Sequence, residues 1–170
     1  MALQDMYDLE GAAAQFAETK GYGPFEVDSS GWTLLHHAAS EPQHSRGMYD
    51  VIRGLLAVIP TELVNQKTAG GTPSGWAALS LVCNARDHAN VRKDIACMLL
   101  EHAAELEVRN ANGATPLMNA CACGNRSLVR NLLDVGANHH ATNYQGRNAL
   151  DVTPFDQYQV SRATKGSHPC

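Results

Sequence analysis

The stretch GWTLLHHAA, at residues 31–39, sets a pattern that returns three times further along the chain. The returning stretches are GWAALSLVC at 75–83, GATPLMNAC at 113–121 and GRNALDVT at 146–153. Each one has Gly, a variable residue, two residues that are small or polar except for Leu34, and then Leu. The adjacent histidines of the first stretch could mark a catalytic or metal-binding site. Its recurrence instead favours a repeated structural unit.

A second pattern follows each of the first three stretches. It reads VIRGLL at 51–56, IACMLL at 95–100 and LVRNLL at 128–133. Apolar residues at positions i, i+1, i+4 and i+5 lie on one face of a helix. Each unit is therefore predicted to contain two helices, an inner helix after the glycine and an outer helix at the second pattern. The leucines shared by the first pattern are expected to be buried between helices: Leu35, Leu79, Leu117 and Leu150.

The spacing of the repeats resolves into one period. Successive turn glycines lie 44, 38 and 33 residues apart. The first two units share an insertion of 5 residues between their helices, and the first connection is longer by a further 6 residues. An underlying period of 33 residues remains once these insertions are removed.

That period and the local motif resemble the ankyrin-repeat family, whose helices begin with T-P-L-H-x-A. TPLMNA at 115–120 is the closest match, TLLHHA at 33–38 keeps His36, and AALSLV at 77–82 departs furthest. DVGAN at 134–138 resembles the stretch that follows the outer helix in this family. The resemblance covers about residues 28–153 and implies an all-α solenoid of stacked helix–turn–helix units with short finger loops.

The expected organisation follows from these units. Residues 1–27 are predicted to form an N-terminal capping helix and linker, because LEGAAAQFAETKG carries apolar residues at the outer-helix spacing. The repeats are predicted at 28–67, 72–109 and 110–142, with a partial repeat at 143–153. Residues 154–170 are predicted to be a polar tail.

Composition excludes several functions. The net charge is −4 and basic residues form no stripe, which argues against nucleic-acid binding. The sequence contains no run of about 18 apolar residues, so no membrane span is predicted. The acidic start of the chain is unlike a secretory signal. Five cysteines, an odd count, favour reduced thiols inside the cell. The cytoplasm is the expected compartment, with the nucleus and organelles left open.

The reactive-looking residues are better explained as structure. The family resemblance implies that His36 belongs to the hydrogen-bonding scaffold of its inner helix. Cys121 and Cys123 lack the second pair of ligands that a zinc site needs. The glycine-rich stretch AGGTPSG at 69–75 lacks the lysine of a phosphate-binding loop. No catalytic residue, metal ligand or cofactor site is expected, and the chain is not predicted to be an enzyme.

Function is instead expected on the surface that the repeats display. Repeat stacks present an extended concave face of loop tips and inner helices, and the family resemblance implies that this face binds a partner protein. The chain is therefore interpreted as a protein–protein interaction module or adaptor. The alternative is a permanent structural subunit or fragment of a larger multi-protein assembly.

The candidate contact residues come from the finger loops and the variable position of the inner helix. The residue after each turn glycine should face solvent, and Trp and Arg are frequent at binding hot spots. Each Trp could instead fold onto its own finger, and His37 could be an ordinary exposed residue. The predicted partner-binding residues are Trp32, His37, Trp76, Ala114, Tyr144 and Arg147.

Overall fold

A computed structural model describes residues 11–41, 46–69, 74–84 and 90–153, and these residues form helices and turns without a strand. In the described residues, none of the helices is both long enough and apolar enough to span a membrane. The helices are α1 (Ala12–Lys20), α2 (Leu34–Ser40), α3 (Arg46–Val58), α4 (Thr61–Val64), α5 (Ala78–Cys83), α6 (Asn90–Glu101), α7 (Pro116–Cys123) and α8 (Arg126–Asp134).

The helices stack in two rows. The inner row is α2, α5 and α7, each packed on the next, and the outer row is α1, α3, α6 and α8. Inside each unit the inner helix packs on its outer partner, as α2 on α3, α5 on α6 and α7 on α8. Helix α1 has no inner partner among the described helices and packs on α3 at the start of the outer row. The chain is thus an all-α ankyrin-type solenoid, as the repeats predict.

The inner helices begin at a shared backbone geometry with unequal capping. Thr33 accepts a hydrogen bond from the N–H of His36, and Thr115 accepts one from the N–H of Met118. Such caps pair amide groups that the first helical turn leaves unbonded. Pro116 then occupies the first turn, where its missing N–H costs nothing. Ala77 has the same extended geometry and no side-chain oxygen, so α5 begins without a cap.

Outer helices α6 and α8 end in the same kind of left-handed turn. After α8 this turn lies at Gly136, with φ of 94°, and Ala137 donates its N–H to Leu132 at 2.9 Å. After α6 the same bond runs from Ala104 to Leu99 at 2.9 Å, but the left-handed position is filled by Ala103, with φ of 62°. A β-carbon is strained in this conformation.

One buried cation ties neighbouring units together. Arg92 of α6 is buried and donates to the backbone oxygens of Val82 at 3.5 Å and Glu41 at 3.3 Å. These oxygens lie at the ends of α5 and α2, where the helix dipole is negative. The side chain therefore bonds the ends of two successive inner helices at once.

The leucine that follows each turn confirms the repeat alignment in three units and not in the fourth. Leu35, Leu79 and Leu117 are buried in the common core. Leu150 was expected to be buried with them, and that expectation is wrong: it is 41% exposed. Residues 149–152 form turns rather than a helix, and α7 is the last inner helix in the described part of the chain. Ala149 is buried instead.

Two expectations fall outside the described residues. These are the polar tail at 154–170, which includes Cys170, and the first ten residues of the capping segment.

Replacing Leu117 with Ala should lower the free energy of unfolding by about 2–5 kcal/mol, because the change leaves a cavity as well as removing apolar contact. Leu150→Ala is the matched control from the same position of the exposed unit, and it should cost less than about 1 kcal/mol. Chemical denaturation measures both. Equal losses would contradict the burial difference between the two leucines.

Replacing Ala103 with Gly should raise the free energy of unfolding by about 0.5–1 kcal/mol. The gain is the relief of left-handed strain less the extra chain entropy that glycine loses. The reciprocal change Gly136→Ala should lower it. Thermal denaturation of both variants tests the pair, and a stabilising Gly136→Ala would contradict the shared geometry.

Candidate functional site

Four finger turns line one edge of the inner row, and all have the same construction. In each, the first residue of the turn donates its backbone N–H to the backbone oxygen of the residue after the turn glycine, at 2.9–3.1 Å. The side-chain oxygen of that first residue accepts the backbone N–H of the post-glycine residue, at 3.0 Å. The four residues that supply this oxygen are Asp28, Thr68, Asn110 and Asn143.

These four residues were not predicted from the sequence, although their position before the turn glycine could have indicated them. Asp28, Asn110 and Asn143 each stand three positions before a turn glycine, and short Asx side chains favour such turns. Thr68 stands seven positions before Gly75 because the second finger is enlarged. Together they fix the positions from which the post-glycine side chains project.

The first three turn glycines, Gly31, Gly75 and Gly113, are pressed against the next finger. A β-carbon added at Gly31 would lie 2.7 Å from the β-carbon of Ala69. At Gly113 it would lie 2.7 Å from the ring of Tyr144, so that ring lies directly on the glycine. Tyr144 is nevertheless 75% exposed, which leaves a large aromatic surface at the last finger.

A groove of about 400 Å³ runs between the fingers and the inner helices. It contains three of the predicted contact residues, Trp76, Ala114 and Arg147. Amide side chains form much of the remaining lining, and they were not predicted from the sequence. They come from both sides of the groove: Asn84, Asn110, Asn112, Asn119, Asn143 and Gln145.

The charged groups of the groove lie at its C-terminal end. The guanidinium of Arg147 donates to Gln145, which is uncharged. The carboxylate of Asp151 accepts the backbone N–H of Asn148 at 2.9 Å, within a turn. The positive charge of Arg147 therefore faces the groove beside a neutral partner, which suits an anionic group on a ligand.

Asn119 is the unusual residue of the groove. It is only 6% exposed, and among the described residues its Nδ2 has no hydrogen-bond acceptor. A buried donor without a partner costs about 1–3 kcal/mol. Asn119 follows Met118 as His37 follows His36, so the two occupy the same variable position of the inner helix. The repeats mark this position in the sequence, but they do not show that the amide there lacks an acceptor.

Trp32 and His37 lie together, and neither lines the groove described above. The ring of His37 is 5.1 Å from that of Trp32, and its Nε2 is 2.9 Å from the carboxylate of Asp28. Tyr22 closes the cluster, edge-on to His37 at 6.2 Å. Burial, followed by the charge of Asp28, raises the pKa of Tyr22 to about 12. Hydrogen bonds lower the pKa of Asp28, and the bond from the backbone N–H of Trp32 has the largest effect.

These contacts hold His37 and Trp32 against their own unit. A role in partner binding for either residue stays a prediction. Any such role would use the exposed edge of this cluster.

His36 has the scaffold role that the family resemblance implies. Its Nδ1 accepts the N–H of Thr33 at 3.1 Å, and its Nε2 lies 2.8 Å from the backbone oxygen of Gln66. The ring is thus a neutral bridge from the first inner helix to the second finger. Burial is the main cause of its lowered pKa.

Two of the four cysteines in the described residues also belong to the core. Cys83 and Cys121 are buried, and burial raises the pKa of both, that of Cys121 to about 11. Such thiols are poor nucleophiles. In the described ranges, His, Cys, Asp and Glu form no group of three or more that could hold a metal ion.

Stability should fall as the pH drops below about 6.5, the ordinary pKa of histidine. The pKa of His36 is lower in the folded state, so the unfolded chain takes up a proton first. The protonated ring also cannot accept the N–H of Thr33. His36→Gln keeps polar atoms and removes this titration, so its thermal midpoint should change less between about pH 7 and pH 5. Parallel curves for the two proteins would contradict this role.

Comparison with known proteins agrees with the fold. The family model for ankyrin repeats, in three copies, matches residues 83–153. The chain is 39% identical over 99 residues to the NF-kappa-B inhibitor delta of Mus musculus, across 58% of this chain and 28% of that protein. It is 30% identical over 135 residues to the ankyrin repeat domain-containing protein 13C of Danio rerio, across 74% of this chain and 25% of that protein.

A third relative is closer in length. The chain is 31% identical over 97 residues to the protein phosphatase 1 regulatory subunit 27 of Homo sapiens, across 56% of this chain and 58% of that protein. The chain spans between 8% and 58% of the length of the curated relatives it matches. With the repeated helix pairs, the capped inner helices and the stacked fingers, these matches show that the chain belongs to the ankyrin-repeat family.

Proposed function

We propose that this chain is a protein-recognition module that binds its partner in the groove between the finger turns and the inner helices. The groove itself carries the proposal: Trp76, Ala114 and Arg147 were selected from sequence as contact residues, and all three line it. An aromatic, a small residue and a cation beside a row of amides suit a surface that is polar yet partly apolar, as protein interfaces are.

Two of the relatives support a binding role. Their names describe an inhibitor and a regulatory subunit, and proteins so named act on other proteins. By analogy, this chain acts by binding and contributes no catalytic residue of its own. Its buried thiols support an intracellular location, which we propose to be the cytoplasm.

The second candidate is a permanent subunit of a larger assembly. The exposed Leu150 at the C-terminal end of the repeats favours it, because a further structural layer would bury that side chain. The two candidates differ in reversibility. A recognition module releases its partner on dilution, whereas a permanent subunit stays bound at fixed stoichiometry through high salt.

A photo-crosslinking amino acid placed at Asn112, in the groove, should form adducts with a partner in an extract of cells that express the protein. The same amino acid placed at Arg130, exposed on outer helix α8, should form few, because it lies on the opposite row. Mass spectrometry of the adducts compares the two positions.

Trp76→Ala in the Asn112 background should weaken the adducts at least about tenfold, as expected for a hot-spot aromatic. Phe25→Ala is the control for an exposed aromatic residue outside the groove, and circular dichroism confirms that each variant folds. Adducts at Arg130 alone would show that the partner uses the outer face.

A further inference from the structure

If the groove is the partner site proposed above, its lining indicates the chemistry of the partner. We propose that it binds an extended peptide segment of the partner. A peptide carbonyl accepts a hydrogen bond from Nδ2 of Asn119, and an acidic side chain pairs with Arg147. Asn119 is the first reason. Its amide nitrogen is buried in the groove wall and, among the described residues, has no acceptor. A ligand oxygen that comes within hydrogen-bond distance of this nitrogen would remove that penalty.

The amide lining favours an extended chain over a helix. Asparagine and glutamine each carry both donors and an acceptor. They come from both parts of the lining, with Asn84 and Asn119 from the inner helices and Asn112 and Gln145 from the fingers. An extended peptide has unpaired backbone N–H and C=O groups that such side chains can bond. A helix has already paired these groups internally.

The charges select an acidic side chain. Among the described residues of the lining, Arg147 is the only cation, and it donates to the uncharged Gln145. Asp151 lies in the same lining and accepts the N–H of Asn148, so it repels a second acidic group on the ligand. The groove is therefore suited to a ligand with one carboxylate and disfavours a ligand with several acidic residues in a row. A single cation also cannot neutralise the successive phosphates of a nucleic acid.

The wall opposite the charged end supplies an apolar contact. Trp76 lines the groove together with Ala114 and Met118. Backbone recognition gives little discrimination among sequences, so an apolar side chain against Trp76 would set the register of the peptide. The expected ligand has an apolar residue and one Asp or Glu, separated by a short extended stretch.

The test is selection of a displayed library of random twelve-residue peptides against the folded chain. Selected peptides should share one Asp or Glu and one apolar residue at fixed spacing, and circular dichroism should show no helix in the bound peptide. Asn119→Leu should weaken binding of a synthetic selected peptide by about tenfold or more. The same variant should keep or raise the thermal midpoint, because it removes a buried donor that has no partner.

Matched controls separate recognition from packing. Asn131 on α8 also has a buried amide atom without a partner among the described residues, but it lies on the outer row. Asn131→Leu should leave peptide affinity unchanged. Arg147→Met should weaken binding, whereas Arg130→Met should not. Replacing the peptide's acid with its amide should have little further effect in Arg147→Met, because the two changes remove the same contact.

The remaining outcomes overturn the inference in distinguishable ways. Selected peptides that bind as helices, or that depend on Trp76 and are insensitive to both Asn119→Leu and Arg147→Met, would overturn it and leave the proposed function standing. A failed selection, combined with partner adducts at Asn112, would show that the groove holds a folded surface instead. A failed selection without adducts at Asn112 would overturn both proposals.

Discussion

The close stacking of successive fingers constrains the rest of this structure. At Gly31, Gly75 and Gly113 there is no room for a β-carbon, because the next finger occupies that space. This contact sets the distance between neighbouring units, and the inner and outer helices pack at the separation it allows. The side-chain acceptors at Asp28, Thr68, Asn110 and Asn143 keep each turn in the shape that makes the contact. The groove is the space that remains between these fingers and the helix row.

The repeat period and the two helix patterns predicted the fold well, because they depend on local geometry that recurs in the first three units. Leu150 was mispredicted because burial also depends on what lies next to a residue, which a repeated motif does not specify. The groove was predicted in part. Trp76, Ala114 and Arg147 follow from one repeated position. Asn119 does not, because its missing hydrogen-bond partner is a property of the folded neighbourhood.

The variable position of the inner helix has opposite effects on stability in the first and third units. His37 fills it in the first unit, where a carboxylate and an indole satisfy the ring. Asn119 fills it in the third unit, where the described residues leave its amide nitrogen without an acceptor. The first arrangement stabilises the isolated chain and the second costs it stability. Residues that lower the stability of the free protein are expected where a ligand restores the balance.

The second repeat combines several weak features: an uncapped α5, a left-handed alanine at Ala103, and a buried Ser80 hydroxyl that has no partner in the described residues. In a solenoid each unit is held mainly by its neighbours. A chain pulled from its two ends would therefore yield first in the middle, and the first and third units would separate as two mechanically intact blocks. Because Trp76 belongs to this yielding unit and Arg147 to the last finger, tension on the protein would widen the groove and release whatever it holds.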